Sequence, residues 1–137
     1  MGDFKTRGPK AKSKEEVDRG ESYINEDRLR KVLEGDAKEL NEYAEELAKF
    51  YLNGKQLSTS QIRNVLDEIQ RMREFDEDRL HLLRPKLAYA AGRHGGRVKD
   101  FQKLLDKTIQ MTIKDNYQNF KNFVEAIVAY HRYHGGK

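Results

Sequence analysis

From Ile24 onward, apolar residues recur at helical intervals, and no stretch alternates with the period of two that a half-buried strand needs. Asn25 before EDRLRKVLE predicts a short capped helix that Gly35 closes. Asp36 caps a second helix, with Leu40, Tyr43, Ala44, Leu47, Phe50 and Tyr51 on one face and Asn53-Gly54 at its end. Ser58 or Thr59 opens a third, whose stripe runs through Ile62, Val65, Leu66, Ile69, Met72 and Phe75. In the fourth segment, DEDRLHLLRPKLAYAAGRH, Leu80, Leu83, Leu87 and Ala90/Ala91 keep one helical phase across Pro85. Either a helix ends there and another begins, or one helix kinks, because proline has no amide hydrogen and crowds the carbonyl four residues back. Gly95-Gly96 stops it, and a fifth helix from Val98 ends near Asn116. The sixth, roughly residues 117–133, differs. Between Phe123 and Tyr130 only Glu125 is charged, the pattern of a helix buried at the centre or shared with another subunit.

The fold expected is all-α: a compact bundle of five to six helices with a flexible basic N-terminal arm. Residues 1–23 form the arm and residues 24–137 a single helical domain. A length of 137 residues suits one domain with a modest core. No cysteine is present, which excludes disulfide scaffolds, thiolate metal sites and thiol catalysis. No apolar run approaches the ~18 residues of a membrane span, and no secretion signal is visible. A cytoplasmic protein without membrane contact is the expectation.

Charge refines this picture by its placement. The net charge is +4, and residues 1–14 carry Lys5, Arg7, Lys10, Lys12 and Lys14 against Asp3 alone, leaving 22 residues of each sign in the rest. A basic arm is attached to a neutral body. It reads either as a solvated tail or as an arm that orders on phosphates.

The catalytic inventory is thin. His131 and His134 lie three apart near a helix end, but nothing at fixed spacing supplies the further ligands a metal needs. Glu125 reads as a core carboxylate with an arginine or hydroxyl partner. Gly92, Gly95 and Gly96 around Arg93-His94 follow a helix rather than a strand and match no phosphate loop. No metal, no cofactor and no enzymatic activity are expected.

The cations say more. Arg84, Lys86, Arg93, Arg97 and Lys99, with His94, span a stretch that contains no acid. Lys86, Tyr89 and Arg93 fall on one helical face, where two cations suit a phosphate backbone and the Tyr89 ring either stacks on a base or packs in the core. Lys99, Lys103, Lys107 and Lys114 continue the row with Gln110, diluted by Asp100 and Asp106. The competing reading is a solvated face laced by ion pairs, as Arg63, Asp67 and Arg71 at every fourth position illustrate.

Three stretches in order, TSQIR (Thr59–Arg63), KLAYAAGR (Lys86–Arg93) and EAIVAYHRYHGG (Glu125–Gly136), resemble the small helical subunit of the type III-A CRISPR effector, the Csm complex. The resemblance covers about Ser58 to Gly136. It implies a non-catalytic all-α subunit, several copies of which stack and line the channel that holds guide RNA and target RNA, beside the other subunits of the effector. By motif position it points to Arg63, Lys86, Arg93 and Arg132 as RNA contacts, with Gln61 a weaker candidate. Arg97 and Lys99 join them from the acid-free stretch. If these residues form one site, Arg63, Lys86 and Arg93 approach one another on the folded surface. The reading from another class is a helical dimerisation or adaptor protein that binds no nucleic acid.

Overall fold

The computed structural model describes residues 23–54 and 56–137, so the basic arm lies outside the described residues. Six α-helices and one 3₁₀ turn make up the described chain: α1 (Glu26–Leu33), α2 (Ala37–Tyr51), α3 (Thr59–Arg71), α4 (Glu77–His94), α5 (Arg97–Gln110), the turn Lys114–Asn116, and α6 (Tyr117–Tyr133). No strand occurs among the described residues.

The caps act where the sequence places them. Asn25, Asp36 and Ser58 each accept from a backbone N–H in the first turn of α1, α2 and α3. Ser58 and Gln61 close a reciprocal capping box, so the Gln61 amide is committed to the Ser58 N–H at 2.9 Å. Gly35, at φ +103°, ends α1 in the left-handed conformation that an L side chain resists.

Two boundaries differ from expectation. The third helix ends at Arg71, and Phe75 packs edge-on against Tyr117 from the following loop. The phenol of Tyr117 donates to the Met72 carbonyl at 2.6 Å, a partner from α6 for a carbonyl just past the end of α3. The fifth helix stops at Gln110, not near Asn116. Thr108 and Thr112 turn their hydroxyls back onto the carbonyls of Leu104 and Thr108, both at 2.7 Å, and Asn116 ties the next turn together through Met111 and Ile113.

At Pro85 one helix continues unbroken from Glu77 to His94. Proline leaves the His81 carbonyl without its intrahelical donor, and Pro85 itself is exposed. Polar side chains and solvent, rather than core packing, surround this weak point.

α6 is the central element, packed against α2 along its length and against α3, α1 and the 3₁₀ turn. Phe120, Phe123, Val124, Ile127 and His131 are fully buried, and Phe123 stacks on Tyr43 of α2 at 5.7 Å. The apolar character of α6 is consumed within the chain. Glu125, expected in the core, is instead exposed and accepts from Gln70 at 3.3 Å. α4 and α5 form an antiparallel hairpin over the Gly95-Gly96 turn, pinned by Arg84 on Asp106 at 2.7 Å.

Candidate nucleic-acid interface

The backbones of α3 and α4 stay apart, and a groove with a cavity of about 200 Å³ lies between them. Leu57, Val65, Leu83, Leu87, Val98 and Phe101 make it apolar inside; Gln61, Asn64, Glu68, Lys86 and His94 stand among its walls. Lys86 crosses the groove to the Glu68 carboxylate at 3.5 Å, a long and exposed pairing worth little in water.

On α4 the outward stripe is Leu82, Lys86, Tyr89 and Arg93, spaced four, three and four apart, so all four share one face. Tyr89 is 71% exposed and Leu82 is 63% exposed. The ring at 89 is therefore available to a partner and contributes nothing to the core. Among the described residues, no carboxylate pairs with Arg93, Lys99 or Arg63. The expected Arg63–Asp67–Arg71 ladder does not form; Arg71 pairs with Glu68 at 3.3 Å.

Arg63 does not join Lys86. α3 turns Gln61, Asn64, Val65 and Glu68 toward the groove, and Arg63 lies about 150° around the helix from their mean direction. Its neighbours follow from register. α3 and α6 are antiparallel, with Tyr117 at Met72, Glu125 at Gln70, and His131 at Leu57. Two turns back from Gln70 is Arg63 and two turns on from Glu125 is Arg132, which places both arginines at the same level of the α3–α6 seam. Arg132 also donates to the Gly136 carbonyl at 3.1 Å.

Arg97 is held inside the fold. Its guanidinium lies 4.1 Å over the Phe50 ring, donates to the Asn53 carbonyl at 3.0 Å and pairs with Asp100 at 2.9 Å. An arginine so enclosed braces the α2–α3 connection against α5 and is not an open cation. In the lysine row, Lys107 is likewise spent on Glu26 at 2.9 Å. The two histidines of the last motif diverge: His131 is buried on the Leu57 carbonyl, and His134 meets Glu45 of α2 at 2.7 Å. Among the described residues no three His, Asp or Glu side chains gather in a group that could hold a metal ion. No described helix is long and apolar enough to cross a membrane.

A family profile described as Csm2, type III-A, matches residues 34–137, all of the helical body from the end of α1 onward. The chain belongs to the Csm2 family. A Csm2 relative from Streptococcus thermophilus, named CRISPR system Cms protein Csm2, is 34% identical over 92 residues, spanning 59% of this chain and 75% of the relative. No solved structure matches significantly. Csm2 membership makes this chain a small subunit of a type III-A complex, and an all-α fold is what the structure has.

Signals that sequence reasoning missed are structural in kind. Leu82 shares the phase of Lys86 and Arg93, but nothing in the pattern separates an outward leucine from a core one. The enclosure of Arg97 depends on Phe50, nearly fifty residues away.

Proposed function

We propose that this chain is a non-catalytic small subunit that grips guide and target RNA by the backbone, without sequence preference, and stacks in several copies with the other subunits of its effector. Base pairing reads sequence in an RNA-guided complex, so the protein needs only cations and donors positioned along the strand. The deep, narrow major groove of A-form RNA admits no helix, and contacts fall on phosphates and 2′-hydroxyls.

The outer face of α4 carries this reading. Lys86 and Arg93 flank an exposed Tyr89, presenting two cations and a stacking ring on one continuous helix. Lys99 extends the cationic edge onto α5. Arg63 and Arg132 supply a second pair of cations on the α3–α6 seam, which suits two contact points along a strand better than one pocket. Arg97 supports the interface from inside.

The test is the salt dependence of RNA binding. On single strands the log–log slope falls by about 0.7 for each phosphate that the protein no longer grips, so Lys86→Ala with Arg93→Ala lowers it by about 1.4. Affinity drops at least about tenfold. A slope unchanged in the double variant sinks the proposal. Leu82, exposed beside these cations, favours a second reading in which the same face meets a protein. Light scattering with and without RNA separates the two, because an adaptor assembles without regard to RNA.

A further inference from the structure

The turn that follows α6 closes over a buried histidine that the proposed RNA contacts do not include. The amide of Gly135 donates to Arg132 at 3.1 Å and that of Gly136 to His131 at 2.9 Å, and Gly135 has φ +101°. This is the double hydrogen bond of a Schellman ending, in which the residue at position 136 ordinarily covers the one at position 131. Here the covering residue is glycine and the covered one is histidine. Gly136 is buried, and a Cβ built on it would collide with the His131 imidazole and approach the His131 carbonyl to 2.8 Å.

The imidazole underneath has no exposure. Its Nε2 lies 2.6 Å from the Leu57 carbonyl; a carbonyl only accepts, so Nε2 carries the hydrogen. Nδ1 is buried and has no hydrogen-bond partner. Leu57 in turn donates its amide to Tyr51 at 3.0 Å and contributes its side chain to the groove between α3 and α4. A chain of contacts thus runs from Gly136 through His131 and Leu57 to the groove. Arg132 straps it from outside by donating to the Gly136 carbonyl.

We propose that Gly136, His131 and Arg132 form a latch that fixes Leu57, and through it the shape of the α3–α4 groove. The motif's paired glycines then have distinct tasks. Gly135 supplies the positive φ, and Gly136 supplies the space that lets the backbone lie on the ring. His131 is a positioning residue acting through Leu57. The Gly136, His131 and Leu57 contacts are all made within the chain, whereas Arg132, the outer strap, is shared with the proposed RNA contact.

The experiment is hydrogen exchange on the full chain carrying Gly136→Ala, and on a second variant lacking Gly136 and Lys137. In Gly136→Ala the methyl displaces the turn, and the amides of Leu57 and Ile62 exchange on the order of tenfold faster, while those of Leu29 and Leu40 change less than twofold. The deletion removes the lid without a clash and accelerates the same amides. The Nε2–H signal of His131 shifts in both variants. Unchanged exchange at Leu57 in both variants overturns the latch. So does equal acceleration in α1 and α2, which would report only a general loss of stability.

Discussion

The α1–α2 side and the α4–α5 side of the molecule both carry many charges and use them in opposite ways. Between Glu26 and Lys49 stand eight acids and five bases; five of the thirteen pair with one another and two more reach partners on α5 and past α6. Arg28 lies over the Tyr43 ring and holds both Glu39 and Glu46; Arg30 holds Asp27; Glu26 takes Lys107; Glu45 takes His134. Between Arg79 and Lys114 nine bases face Asp100 and Asp106 alone. Arg84 and Arg97 occupy those two carboxylates, Lys86 and Lys107 reach Glu68 and Glu26 on other elements, and among the described residues no carboxylate pairs with Arg93 or Lys99. One side is closed by its ion pairs, the other left open. Net charge is blind to this distinction, since a neutral body contains both.

The sharpest way to test the contrast is to cut into the closed side. Phe123→Ala removes a fully buried ring from the α2–α6 contact, where the sealed packing cannot collapse to fill the space. We expect a loss of about 3–5 kcal/mol in chemical denaturation. A loss under about 1 kcal/mol would mean that α2 and α6 are not the core pair.

Arg28→Ala comes next, at about 1–3 kcal/mol, because it strands a Glu39 side chain that is only 18% exposed. The hydrogen bond to Glu46 is the main reason the Arg28 pKa lies above its ordinary value, and the same bond holds the Glu46 carboxyl below its usual 4.5. The sign follows by linkage. A lowered carboxylate pKa stabilises the fold above the unfolded value and loses that contribution as pH falls through the folded one. The gap between wild type and Arg28→Ala is therefore steady above about pH 4.5 and narrows below it. Denaturation series at pH 7 and pH 3 measure this, and a gap that widens in acid contradicts the pairing.

Much of the closed side was legible in the sequence. Asn25, Gly35, Asp36 and Ser58 bracket helices by local hydrogen bonding, and the apolar phase of α2 and α6 needs no distant partner to be recognised. The open side was legible only as a list of cations. Lys86, Tyr89 and Arg93 share a face because spacing within one helix fixes it. Whether Arg63 stands beside them depends on how α3 is rotated against α4, and that is set by side chains far apart in the chain. Arg97 shows the same limit, since an acid-free run cannot reveal that Phe50 and Asn53 enclose its guanidinium. Pro85 was readable as a disturbance but not as a continuous helix, because α4 keeps its phase through burial of Leu80, Leu83 and Leu87 on one face.

On the open side, substitutions should separate stability from binding. Lys86→Ala and Arg93→Ala each change stability by no more than about 0.5 kcal/mol, because their side chains face solvent and bury little. Thermal melts check this on the same samples used for RNA titration. A drop in stability comparable to that of Arg28→Ala would erase the distinction between the two sides and make these cations structural.

The smallest expected effect carries the finest information. Gly92 sits in α4 between Tyr89 and Arg93, has no positive φ, and a Cβ there would meet nothing within 4 Å. Alanine disturbs no neighbour, and it removes the freedom that glycine gives the unfolded chain, so Gly92→Ala should stabilise the protein by about 0.4–1 kcal/mol. Packing gives no reason for a glycine at this position, and that makes binding the informative measurement. With phosphates held by the long side chains of Lys86 and Arg93, RNA stays some distance from the helix backbone and affinity is unchanged within about twofold. A stabilised Gly92→Ala that binds RNA more than about tenfold more weakly would bring the strand against the α4 backbone itself, with the side-chain cations at its flanks.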